Sequence, residues 1–189
     1  MNRVVCVNDA RRQLIDYIVS DAVFRGDFTL SSGKKASFYV DLRRVSLDHR
    51  VAPLIGAVML DLIKDVPDVS AVGGLTMGAD PIAAAILHQG AARGRSYDAF
   101  VVRKEPKDHG RGRQVEGPDL AGKRVIVVED TSTTGGSPMA AISALEKVGA
   151  VIAAVAVVVD RDTGAREAIE AAGYPYFAAL GLRDLGLDS

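Results

Sequence analysis

Apolar positions along this chain follow two rhythms, one of helices and one of strands. Behind Asp9, a capping residue, Leu14, Ile15, Ile18, Val19 and Ala22 recur at helical spacing and predict one helix reaching about Phe24. From Asp27 to Arg44 the pattern changes to two short strands around a turn at residues 31–35, and the adjacent Phe38 and Tyr39 then face opposite sides. Helical spacing returns between His49 and Lys64 through Leu54, Ile55, Val58, Leu62 and Ile63, with Pro53 in the first turn and His49 as a surface or capping residue. Ser70 to Gly74 reads as a strand, and Asp80-Pro81 opens a helix carrying Ile82, Ala85 and Ile86. Tyr97–Val102, Val125–Val128, Val151–Asp160 and Tyr174–Leu180 are further strands, with a terminal turn over 182–187. Strands alternating with helices predict an α/β fold, a mainly parallel doubly wound sheet. A small N-terminal hood from residues before about 45 belongs to the same single domain, residues 1–189.

Composition narrows the class of function. Of 189 residues 48% are hydrophobic and 25% charged, as in an ordinary globular chain. A net charge of −1 argues against a general nucleic-acid binder or a polybasic membrane surface, so any electropositive site is local. One cysteine, Cys6, excludes an intrachain disulfide and a cysteine metal cluster. No apolar stretch reaches membrane-spanning length, and charges at Asp9, Arg11 and Arg12 break any signal-peptide pattern, so a cytoplasmic location is expected.

The stretch from Arg124 to Ser137, RVIVVEDTSTTGGS, carries the chemistry. Its apolar run ends at Glu129 and Asp130, a Thr/Gly-rich turn follows, and Ser137-Pro138 reads as a helix cap with proline at the first helical position. Backbone N–H groups, hydroxyls and a helix N-terminus from Thr133 to Ser137 suit a phosphate. The paired acids would repel phosphate directly and instead suit ribose hydroxyls or a hydrated Mg2+. Neither Gly-Lys-Ser/Thr nor G-x-G-x-x-G is present. An ordinary strand-to-helix turn shares the apolar run and the glycines; the adjacent acids and the density of hydroxyls favour a ligand with both sugar and phosphate.

This stretch resembles the phosphoribosyl-diphosphate (PRPP) motif of type I phosphoribosyltransferases. Three further segments are similar to a narrower family, the orotate phosphoribosyltransferases: FTLSSG with SFYVDLR in the hood, the turn from Leu75 to Gly78, and RKEPKDHG from Arg103 to Gly110. The four matches follow the family's order. The resemblance implies transfer of a 5-phosphoribosyl group from PRPP to orotate in pyrimidine synthesis, with Mg2+ held mainly through ligand oxygens and water. It also implies a homodimer whose mobile loop reaches the neighbour's site. PRPP would be held by Arg103, Lys104, Lys107, His109, Glu129, Asp130, Thr131, Ser132, Thr133, Thr134, Gly135, Gly136 and Ser137. Lys104, Lys107 and His109 would act on the departing diphosphate, His109 as a proton donor. Phe38, Tyr39, Thr133 and Arg161 would contact orotate, and the 75–78 turn would grip diphosphate through its backbone.

The chain departs from the family at Ser31 and Met77, where many members carry lysine. Lys34 and Lys35 lie near Ser31, but nothing in the sequence makes either a replacement. Two other functions retain the organising motif. A phosphoribosyltransferase for a purine base would not predict FTLSSG or RKEPKDHG, and a PRPP-sensing regulator would dispense with the loop lysines.

Overall fold

The centre of the molecule is built from its most β-branched segments. β6 (Arg124–Ser132) and β7 (Val151–Asp160) pair in parallel. Val125, Val127, Val155 and Val157 face one apolar layer, and Ile126, Val128, Ala154, Ala156 and Val158 face the other. Burial on both faces is why these strands read as continuous apolar runs rather than alternating ones. The computed structural model describes residues 7–29, 35–105 and 113–188. β3 (Val69–Leu75), β4 (Asp98–Val102), β5 (Val115–Glu116) and β8 (Tyr176–Gly181) complete a six-stranded sheet of order β5-β4-β3-β6-β7-β8. Within this sheet, among the described residues, only the β4–β5 pairing is antiparallel.

Helices cover both faces. α1 (Val7–Tyr17), α3 (Ala52–Leu62) and α4 (Ala79–Ala92) bring Leu14, Ile55, Met59, Ile82 and Ile86 into one layer with Val72, Ile126 and Val128. α5 (Gly136–Lys147) and α6 (Ala165–Ala171) bring Ile142, Leu145 and Ile169 against Ala71, Val127 and Val157 on the other. β1 (Val23–Thr29) and β2 (Lys35–Val40) form a separate antiparallel pair, the expected hood. A short α2 (Arg43–Ser46) leads from it to α3.

Several boundaries differ from expectation. The first helix ends its α-helical part at Tyr17, widens to a π turn over Ile18–Ala22, and releases Val23 and Phe24 into β1. Val19 consequently leaves the apolar stripe and is 41% exposed. Asp9 lies in the first turn of α1, where it pairs with Arg12 at 3.0 Å. β6 does not stop at Glu129: β7 pairs with it as far as Ser132–Asp160, so the acids lie within the strand. Nor is Ser137 a cap. α5 starts at Gly136, behind a left-handed Gly135 at φ 79°, a conformation glycine adopts without the Cβ clash that other residues meet. Segments 43–46 and 165–171 are helices that the periodicity left unpredicted, being too short to display it.

The chain moves outward through β3, β4 and β5, then crosses back to lay β6 on the other side of β3. This switch point opens a crevice beyond the carboxyl ends of β3 and β6, where open α/β sheets place their ligands.

Candidate active site

A cleft of about 260 Å³ fills that crevice. Its walls come from Tyr39 to Arg43 at the end of the hood, from Leu75 to Gly78 at the end of β3, from Lys104 after β4, and from Glu129, Asp130, Thr131 and Ser137. The β3 turn lies directly on the acids. A Cβ added at Gly78 would collide with Glu129 Oε1 and come within 2.8 Å of Asp130 Oδ1, so any side chain here would displace both carboxylates. Thr76 Oγ1 donates to Asp80 Oδ2 at 2.7 Å, tying the turn to the start of α4.

The acids differ in environment. Glu129 is 6% exposed, and its Oε1 accepts the Asp130 N–H at 3.1 Å. The Thr131 N–H donates to Asp130 Oδ1 at 2.6 Å. Burial first, then the charge of Asp130, pushes the Glu129 carboxyl up to about 8. The shift favours the neutral form of Glu129, and the oxygens of the pair remain able to accept hydroxyl donors.

Beyond the acids the loop is partly open and partly anchored. Thr133, Thr134, Gly136 and Ser137 are exposed, Gly135 is buried, and Ser137 lines the cleft. Ser132 behaves differently from its neighbours. Its hydroxyl is buried, 3.1 Å from Asp160 Oδ1 and 2.6 Å from the Tyr176 hydroxyl, so it faces away from the cleft. Burial also pushes the Tyr176 phenol upward. The Arg161 N–H donates to the Ser132 carbonyl at 3.1 Å, and Thr163 Oγ1 donates to the Thr133 carbonyl at 2.7 Å. The end of β7 thus clamps the base of the loop.

On the other side, Phe38 packs against the core while Tyr39 lines the cleft, the division expected of adjacent strand residues. The Arg161 guanidinium lies 5.6 Å from the centre of the Phe38 ring, and its Nε is buried with no hydrogen-bond partner among the described residues. This juxtaposes an aromatic face and a guanidinium fork short of an acceptor, suited to a flat carboxylate.

The β4–β5 hairpin holds the feet of the basic loop: the Arg103 N–H donates to the Gln114 carbonyl at 2.8 Å, and Gln114 Nε2 donates to the Arg103 carbonyl at 3.1 Å. Lys104 lines the cleft. Arg103 is not among the lining residues, and its guanidinium is 3.6 Å from Glu116. Lys107 and His109, like Ser31, Lys34 and Cys6, lie outside the described residues, and His49 is exposed as expected. Thr76 lies in the 75–78 turn already expected at the site, whereas sequence reasoning gave no role to Asp41 and Arg43, though both lie in the SFYVDLR segment, nor to the Asp160–Tyr176 anchor. Only the polar pairs next to Tyr39 and before Arg161 could have pointed to any of them.

A phosphoribosyl transferase domain model matches residues 70–172. An orotate phosphoribosyltransferase of Tropheryma whipplei (strain Twist) is 63% identical over 175 residues, covering 93% of this chain and 82% of that protein. One of Streptomyces coelicolor is 57% identical over 183 residues, covering 96% and 100%. The orotate phosphoribosyltransferase of Mycobacterium tuberculosis H37Rv, solved in complex with 5-phospho-α-D-ribosyl 1-diphosphate, superposes with a TM-score of 0.82 at 50% identity, covering 94% of this chain and 99% of that one. An adenine phosphoribosyltransferase of Leishmania donovani, 15% identical with a TM-score of 0.65 and covering 95% and 83%, shares the fold alone.

Proposed function

The chain belongs to the orotate phosphoribosyltransferases, within the phosphoribosyl transferase family, and we propose that its cleft transfers the 5-phosphoribosyl group of PRPP to orotate, giving orotidine 5′-monophosphate and diphosphate in pyrimidine synthesis. One observation carries this reading: the β3 turn, bare of side chain at Gly78, rests on the Glu129–Asp130 pair, so diphosphate-binding amides and a diol-binding acid pair converge on one cleft.

The barrier is cleavage of the bond from C1 to diphosphate as the ribose gains oxocarbenium character, so catalysis is positional and electrostatic. Glu129 and Asp130 accept the ribose hydroxyls. Thr131, Thr133, Thr134, Gly135, Gly136 and Ser137 enclose the 5′-phosphate at the N-terminus of α5. Ser132 anchors that loop from beneath, its hydroxyl bonded to Asp160 and Tyr176 rather than turned to the phosphate. Leu75 to Gly78 hold diphosphate through backbone N–H groups. Arg161 takes the orotate carboxylate, with Phe38, Tyr39 and Thr133 around the ring. Arg103, Lys104 and Lys107 stabilise the departing diphosphate and His109 protonates it, which requires Arg103 to leave Glu116.

Among the described residues no cluster of His, Cys, Asp and Glu could hold a metal unaided. Glu129 and Asp130 would hold Mg2+ only together with the ligand and water, and the ion would neutralise charge on the leaving group. The remaining proposals are that residues 1–189 act as one domain with residues 1–45 as hood and N-terminal helix, that two chains pair with the 103–113 loop reaching the neighbour's cleft, and that the enzyme works in the cytoplasm. Among the described residues no helix is long and apolar enough to cross a membrane.

Orotate-dependent release of diphosphate from PRPP and Mg2+ tests the activity directly. Lys107→Ala is expected to lower turnover far more than ligand binding, since its contact develops in the transition state. Near-wild-type turnover would remove the role assigned to Lys107.

A further inference from the structure

The cleft holds few positive charges for a ligand carrying both a phosphate and a diphosphate. Its lining carboxylates are Asp41, Glu129 and Asp130; its lining cations, among the described residues, are Lys104 and Arg43. The β3 turn adds none, because Met77 stands at its tip, 65% exposed.

Arg43 is built to stay where it is. It opens α2, directly after Asp41 and Leu42. The Asp41 N–H donates to the Ala22 carbonyl at 2.9 Å, while Leu42 and Val45 are buried in the core layer. The backbone is therefore anchored on both sides of a side chain that reaches the cleft. Asp41 Oδ1 accepts from Arg43 Nε at 3.0 Å, which sets the plane of the guanidinium. That is the one hydrogen bond of the guanidinium among the described residues, and both terminal nitrogens remain able to donate. Arg44, next in the chain, points elsewhere: its guanidinium lies 5.1 Å over the Phe24 ring.

We propose that Arg43 is a PRPP-binding residue that takes the diphosphate through its two terminal nitrogens, supplying the side-chain charge absent from the Met77 turn. A planar fork already oriented by a carboxylate loses little freedom when it closes on paired phosphate oxygens. Asp41 is then a positioning residue that aims the fork. This assignment rests on the reading of the cleft as the PRPP site.

The test compares Arg43→Gln, Arg44→Gln and the double variant Arg43→Gln/Met77→Lys in steady-state assays, with calorimetric titration of inorganic diphosphate and of ribose 5-phosphate. Losing one charge-assisted fork is expected to raise the KM for PRPP about tenfold in Arg43→Gln. Affinity for inorganic diphosphate should fall with it, while the KM for orotate and the affinity for ribose 5-phosphate stay near wild type. Arg44→Gln should match wild type, and lysine at position 77 should recover much of the lost PRPP affinity. Unchanged KM for PRPP and unchanged diphosphate affinity in Arg43→Gln, alongside an active wild type, would overturn the role of Arg43 alone. So would a loss confined to ribose 5-phosphate. A wild type that releases no diphosphate with orotate would instead overturn the reading of the whole site.

Discussion

The two sides of the cleft are constructed by opposite means. The floor, from Glu129 to Ser137, is one contiguous stretch running from the end of β6 into α5. The opposing wall gathers Tyr39 and Arg43 from the end of the hood and just past it, Met77 and Gly78 from the β3 turn, and Lys104 from the edge of β4, with Arg161 and Phe38 meeting nearby. The floor is clamped by neighbours in the sheet: Ser132 against Asp160 and Tyr176, Thr133 against Thr163. The wall depends on how separate segments pack. Under the proposed function a contiguous floor would hold the ribose and its 5′-phosphate. Under that same function the assembled wall would face the two groups that arrive and leave.

Removing the floor should have the largest effect. Glu129→Ala/Asp130→Ala is expected to lower turnover by roughly 10³-fold or more, since preorganised charge at the reacting sugar is the dominant contribution. Calorimetry should show PRPP affinity lost with it, and unchanged affinity would sink the cradle altogether. Damage to the wall should be narrower. Arg161→Ala is expected to raise the KM for orotate roughly a hundredfold, as for truncation of one partner in a buried charge pair, while the KM for PRPP moves little. An equal rise in both constants would mean that the floor and wall are not separable.

The smallest effect concerns protons on the floor. The Glu129 carboxyl has its ordinary value near 4.5 in the unfolded chain and about 8 in the fold, raised by burial and by Asp130. Between those values the folded state binds more protons than the unfolded one, so this group makes stability fall as pH rises through that window. The melting temperature of the ligand-free protein should therefore drop by a few degrees from pH 5 to pH 8. Glu129→Gln should flatten this slope, and an identical slope in the variant would remove Glu129 as its source.

The same contrast explains what could be read in advance. The Glu129–Asp130 pair and the Thr/Gly turn were legible because their chemistry is local and their spacing is set by the chain itself. The division of labour between Phe38 and Tyr39 was legible because strand side chains alternate. Errors in the floor came from local rules overridden by neighbours. Ser137-Pro138 has the chemistry of a helix start, yet Gly135 takes the left-handed turn and α5 begins at Gly136. Ser132 has the hydroxyl of a phosphate loop, yet the pairing of β6 with β7 carries it into the sheet against Tyr176.

Sequence alone determined the alternation of strands and helices and the doubly wound class, and it set the acid pair and the Thr/Gly turn in one contiguous stretch, because apolar period and turn chemistry act over a few residues. Only the tertiary structure decided that Gly78 lies on the acids, that Arg43 shares their cleft and that Arg161 meets Phe38. These contacts join segments tens of residues apart through the strand order of the sheet, and no local spacing encodes that order.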